Sequence, residues 1–241
     1  MRYSGGCAGW DESVTKKATE AQLSFAVGDD MKVSALLQTP RSADALLVLA
    51  HGAGAGMTHP FMAAMAGGLA ERAIATLRYQ FPYMERGSKR PDPPPLAQAT
   101  VRAAVAAAAQ AQPELPLFAG GKSFGGRMSS QAQAKAPLSG VRGLVFVGFP
   151  LHPAGKPATD RANHLADVKV PMLFLQGTRD ALAELPLLEP VCKSLGKRGT
   201  LKLFTDADHS FHVPAKSGRK DADVFAELLD VIAAWIRDHV R

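Results

Sequence analysis

The stretch Ala45–Ala50 reads ALLVLA, a run with no polar alternation. A strand of that texture has to be covered on both faces, as happens in a mostly parallel sheet sandwiched between helices. Further strand candidates follow at Ala75–Arg78, Pro116–Gly120, Val141–Phe149, Val170–Gln176 and Thr200–Phe204. Helical stretches fill most of the gaps: Pro60–Arg72, the alanine-dense Leu96–Gln112, Arg127–Lys135, Ala181–Leu195 and Asp223–His239. The last of these sets Phe225, Leu228, Leu229, Ile232, Trp235 and Ile236 on one face, ready to dock on a sheet. Ahead of the alternation, Leu23–Val27 and Val33–Gln38 flank the turn Gly28–Asp30 and read as an antiparallel hairpin. The segment Gln80–Pro95, with five prolines, reads as a loop, because proline has no N–H and restrains the residue before it.

The expected organisation is a polar segment at 1–20 followed by a single α/β domain over 21–241. In such sheets chemistry gathers in the crevice beyond the carboxyl ends of the strands. The formal charge of +6 comes from basic residues scattered along the chain, apart from the short run Glu85–Arg90. A nucleic-acid binder concentrates such charge in a stripe, so no nucleic-acid partner is expected. Cys7 and Cys192 are far apart and belong to no CxxC or Cys/His cluster, so neither a metal site nor a disulfide framework is indicated. No stretch approaches the roughly 18 apolar residues of a membrane helix, and MRYSGG ahead of Cys7 does not resemble an export signal. These features point to a cytoplasmic protein without a membrane partner.

Phe118–Gly126, FAGGKSFGG, holds two overlapping motifs. Gly-Lys-Ser ends a phosphate-binding loop, which needs a glycine five residues before its second one. That position is Pro116, and Leu117–Ala119 reads as strand, so the phosphate loop fails. Gly121-Lys-Ser-Phe-Gly125 is also Gly-x-Ser-x-Gly, the strand-to-helix turn that holds a serine clear of a sheet. A serine is weakly nucleophilic until a base and an orienting acid accompany it. Chain order should be serine, acid, histidine, each after its own strand. Asp180 in Gly177-Thr-Arg-Asp180 and His209 in Thr205-Asp-Ala-Asp-His209 meet that order. Asp180 has an alternative as a helix N-cap, and His212 competes with His209 as the base.

The tetrahedral intermediate also needs two backbone N–H donors. Phe124 supplies one, and the loop His51–Gly56 the other, with Ala53 as the expected donor. That glycine-rich loop is not a dinucleotide fingerprint, since the third glycine would fall at Met57 or His59. No cofactor and no metal are expected.

Taken together, His51-Gly-Ala-Gly, Gly121-Lys-Ser-Phe-Gly125, Gly177-Thr-Arg-Asp180 and Asp208-His-Ser-Phe211 resemble the α/β-hydrolase superfamily. Within it the chain resembles the dienelactone-hydrolase-like branch, above all a small group carrying a Phe-Pro-Tyr-Met segment like Phe81–Met84. The resemblance implies an α/β-hydrolase fold of about eight mostly parallel strands, helices on both faces, and serine hydrolase chemistry on an acyl ester or thioester. It also implies an alternative, because the small group includes chromatin-complex subunits regarded as non-catalytic scaffolds. Dienelactone hydrolases proper use cysteine where Ser123 stands here, which argues against a lactone substrate. The short span between Phe149 and Val170 has no room for a helical lid. Arg78, Tyr79 and Tyr83, around the proline-rich loop, are candidates for substrate contact, and Arg127 reads as a helix-surface charge. The oligomeric state has no signature in the sequence.

Overall fold

The computed structural model describes residues 18–240. Most of the expected polar segment, with Cys7, lies outside the described residues. An eight-stranded sheet organises the chain. Strand β1 (Thr19–Val27) pairs antiparallel with β2 (Met31–Thr39), which pairs antiparallel with β4 (Ile74–Tyr79). From β4 onward the sheet is parallel, through β3 (Ala45–Ala50), β5 (Leu117–Lys122), β6 (Val141–Val147), β7 (Met172–Gly177) and β8 (Gly199–Phe204). The spatial order is β1-β2-β4-β3-β5-β6-β7-β8, which buries β3 completely on both faces, as its uninterrupted apolar run requires.

Helices α1 (Pro60–Ala70) and α6 (Asp221–Asp238) cover one face. Met62, Met65 and Leu69 of α1 and Val224, Leu228, Ile232 and Ile236 of α6 join Leu47, Leu49, Phe118 and Val145 in that layer. The opposite face carries α3 (Pro94–Ala111), α4 (Phe124–Lys135) and α5 (Leu185–Ser194), with a short helix α2 (Pro82–Glu85) on the loop before them. There Ala97, Val101, Ala104 and Ala108 of α3 pack with Met128, Leu46, Val48 and Phe146. Cys192 sits in this second layer, its thiol pushed up to about 12 chiefly by burial.

Several boundaries differ from those expected. The loop over 80–95 contains α2, and α3 starts at Pro94, because proline is tolerated in the first turn of a helix, where the N–H has no partner anyway. The helix expected over Ala181–Leu195 is confined to Leu185–Ser194. Between β6 and β7 the chain forms only a 3-10 segment, Asp160–Asp167, and no helical lid is inserted there.

Candidate active site

Four loops meet at the carboxyl ends of the parallel strands: those after β3, β5, β7 and β8. The turn after β5 is the tightest. Gly120 and Gly121 both take φ of +153°, and a methyl on either would approach the backbone of a flanking strand, 1.9 Å from Val145 O and 2.1 Å from Ala50 O. Gly125 faces Ala50 in the same way, with an added methyl 2.6 Å from its carbonyl oxygen. The neighbouring strands thus press against the turn and leave Ser123 at φ +49°, a conformation that costs a non-glycine residue roughly 1–3 kcal/mol. The Ser123 N–H donates to Val147 O at 3.1 Å, and its carbonyl accepts from Arg127 N–H at 3.1 Å, starting α4.

Ser123 Oγ lies 2.9 Å from His209 Nε2, and His209 Nδ1 lies 2.6 Å from Asp180 Oδ2. Because the carboxylate accepts, Nδ1 carries the ring proton and Nε2 is left to accept from the serine hydroxyl. Asp180 is buried and held on every side: Leu182 N–H donates to Oδ1 at 2.8 Å, and Gln176 Nε2 donates to Oδ2. Gln176 is itself fixed by Phe149 N–H, which donates to its Oε1 at 2.9 Å. The loops bearing acid and base are laced together by Arg179 N–H to Ala207 O and Asp206 N–H to Thr178 Oγ1, both 2.9 Å. Asp180 therefore does not cap a helix; α5 begins later, after Glu184. His212 points elsewhere, bonding Asp221 at 2.8 Å on the exposed surface.

Beside Ser123, the N–H groups of Ala53 and Phe124 have no hydrogen-bond acceptor among the described residues. The loop bearing Ala53 is fastened from beneath. His51 is wholly buried; its Nδ1–H donates to Gly52 O at 2.7 Å and its Nε2 accepts from Phe81 N–H at 3.2 Å. Burial pushes the His51 pKa below its ordinary value, which favours this neutral form. Gly54 N–H donates to Tyr83 Oη at 2.9 Å, and Met57 N–H donates to Gln80 Oε1 at 2.8 Å. Tyr83 is positioned in turn by Asp92, whose carboxylate accepts from Tyr83 N–H at 2.9 Å and pairs with Arg86 at 2.7 Å.

This arrangement corrects the expectation that Arg78, Tyr79 and Tyr83 contact substrate. All three are buried and none lines the cleft at Ser123. Arg78 pairs with Glu20 and donates to Met57 O at 3.2 Å; Tyr79 packs against Phe25 and Phe81; Tyr83 shapes the loop of Ala53. Their place near a strand end signalled proximity, but β4 buries the side chains of Arg78 and Tyr79, and α2 buries that of Tyr83. Arg127 is also not a plain surface charge: it packs over the Phe124 ring, and its Nε is buried without a partner among the described residues. The sequence reading did not assign Gln176 or His51 a supporting role; the only signal was a polar residue closing each apolar run.

The cleft encloses about 350 Å³. Its floor is Ser123, His209 and Lys122; its walls are Gly52, Ala53 and Ala55, then His59, Phe61 and Met62 from the start of α1, and Leu182 and Ser210 opposite. Among the described residues, no three His, Cys, Asp or Glu side chains are gathered as metal ligands.

Residues 43–237 match the sequence profile of the alpha/beta hydrolase domain family. Among solved structures, a dienelactone hydrolase from Anabaena variabilis is 22% identical, with 93% of this chain and 100% of that one covered at a TM-score of 0.75. An α/β serine hydrolase without lid from Xanthomonas campestris is 21% identical, covering 91% and 95% at 0.70. A cold-adapted esterase from an Arctic intertidal metagenomic library is 20% identical, covering 91% and 94% at 0.65. These likenesses establish the α/β-hydrolase fold, including its eight-stranded, mostly parallel sheet.

Proposed function

The chain belongs to the alpha/beta hydrolase domain family, and from that premise we propose that it is a serine hydrolase cleaving a carboxylic ester or thioester through an acyl-enzyme on Ser123. The observation that carries this is the unbroken line of hydrogen bonds from Asp180 through His209 to Ser123, 2.6 and 2.9 Å long, on a strained elbow open to the cleft. A buried acid, a correctly oriented imidazole and an otherwise unreactive hydroxyl in that order are what acyl transfer requires.

In this mechanism Ser123 Oγ attacks the acyl carbon while its proton passes to His209 Nε2. Asp180 holds the imidazole in orientation and stabilises the imidazolium. The carbonyl oxygen, now negative, is bound by the N–H groups of Ala53 and Phe124, with the N-terminal end of α4 adding its dipole. As the tetrahedral intermediate collapses, Nε2–H donates the proton to the departing alkoxide or thiolate. Water then attacks the acyl-serine with His209 as base, and the carboxylic acid leaves with Ser123 restored. No step calls for a cofactor.

Ala53, Ala55, Phe61, Met62 and Leu182 make the walls largely apolar, which suits an uncharged acyl or alcohol group. A cavity of about 150 Å³ holds one benzene ring, so 350 Å³ accommodates a small molecule of roughly a dozen non-hydrogen atoms. A fluorophosphonate probe tests the proposal: wild-type protein is expected to become labelled, and Ser123→Ala is not. Equal labelling of both, or none at any pH from about 6 to 9, refutes it and favours the non-catalytic scaffold.

A further inference from the structure

Lys122 has no role in the steps above, yet its ammonium lies within the catalytic framework. It is the last residue of β5, paired with Val147. Its stem passes Gly52, where an added methyl would sit 3.6 Å from Cγ, and Nζ ends beside Gly148, where an added methyl would come within 2.8 Å. From that position Nζ donates to the main-chain carbonyl of His209, and the Phe211 ring lies 5.5 Å away.

The turn that holds His209 has a defined shape of its own. Asp206 and Phe211 adopt φ of +60° and +65°, and Asp208 Oδ1 accepts from Ser210 N–H at 2.7 Å and His212 N–H at 3.0 Å. Other hydrogen bonds tie this turn to the loop of Asp180. Among the described residues, the bonds joining it to the elbow are two: the one from His209 Nε2 to Ser123 and the one from Lys122 to the His209 carbonyl. The first exists only while the imidazole is already in register. The second is independent of the ring.

We propose that Lys122 is a positioning residue, whose ammonium moors the His209 main chain to the strand end carrying Ser123 and so keeps imidazole and hydroxyl in register. The inference rests on the serine hydrolase proposal for its effect on turnover. The groups facing Nζ are Asp180 from the loop after β7 and Asp208 and His209 from the turn after β8; the loop after β3 and the end of β6 present glycine there. Burial lowers the Lys122 pKa from 10.5 to about 8, against the opposing pull of Asp180 and Asp208. A mooring that loses its charge in this range weakens as the pH rises, since charge-assisted hydrogen bonds are about twice as strong as neutral ones.

The test replaces Lys122 by Met, with Lys122→Leu as substitute should the first variant not fold. On p-nitrophenyl butyrate, the variant's kcat is expected to fall about 10- to 100-fold, the loss that a misplacement of about 1 Å produces, with KM nearly unchanged. Wild-type kcat should decline above about pH 8, and the variant should lack that decline. A second measurement does not depend on turnover: the downfield proton resonance of His209 Nδ1–H, bonded to Asp180, should be sharp in wild type and broadened or absent in the variant. Wild-type kcat in the variant, or a lowered kcat with the alkaline decline intact, overturns the proposal, as does an unchanged Nδ1–H resonance. Failure of wild type to react with the fluorophosphonate instead removes the hydrolase proposal, and the resonance then decides the mooring alone.

Discussion

Replacing Lys122 by Met should alter the pH dependence of stability as well as turnover. In the folded chain burial holds the ammonium at about 8, against 10.5 when solvated. The difference, at about 1.4 kcal/mol per pKa unit, amounts to about 3 kcal/mol. The sign follows from proton counting. Between these two values the unfolded chain keeps a proton that the folded one has released, so stability rises with pH through that window. Below about pH 8 the folded state carries a desolvated charge at full cost; above about pH 10.5 the penalty is gone. Met carries no proton in either state. The lost hydrogen bond to the His209 carbonyl contributes a further term of about 1 kcal/mol in the opposite direction. Urea unfolding of both proteins at about pH 7 and about pH 10.5 separates the two. Wild type should gain about 3 kcal/mol on the variant between the two pH values. A difference between the two proteins that stays constant with pH would mean the ammonium is not desolvated, and would refute the reasoning.

Tyr83→Phe removes only the hydroxyl that accepts from Gly54 N–H and leaves the buried ring in place. It should destabilise the protein by about 1 kcal/mol and lower kcat with little change in KM, because the loop of Ala53 is loosened; parallel denaturation and steady-state kinetics check this. Met62→Ala empties part of the cleft wall at a residue that is almost wholly buried. The expected outcome is a loss of about 2–5 kcal/mol in stability together with a shift of the preferred p-nitrophenyl ester toward longer acyl chains, read from a chain-length panel.

Much of the architecture was legible because apolar runs without alternation allow few homes. β3 and β7 were found within a residue or two for that reason, and α6 by its apolar stripe. Signals failed where the surroundings set the outcome. β1 starts at Thr19, beyond its apolar part, because it is an edge strand with an exposed face, and pairing with β2 extends it. α5 begins only at Leu185 because Asp180–Ala183 closes as a separate turn, with Ala183 N–H on the Asp180 carbonyl and Leu182 N–H on its carboxylate. Pro186, suited to a first turn, was the overlooked marker of that start. At the candidate site, the convergence of Ser123, Asp180 and His209 was readable because each follows a strand in a fixed order. Arg78, Tyr79 and Tyr83 lie buried beside the cleft because nearness along the chain specifies neither the face of a strand nor that of a one-turn helix. Lys122 was visible as part of a motif, but its bond joins residues 87 positions apart, a separation that no local pattern reports.

The crowding around Gly120, Gly121 and Gly125 limits how this protein can be altered. Because the walls there are main chain, no compensating side-chain change nearby can make room for a bulkier residue. Libraries that randomise this segment should return almost only the parental glycines, whereas the rim at Ala55, Phe61 and Leu182 is built of replaceable side chains. Diversification toward new substrates therefore has to proceed from the rim, around a centre that stays immobile.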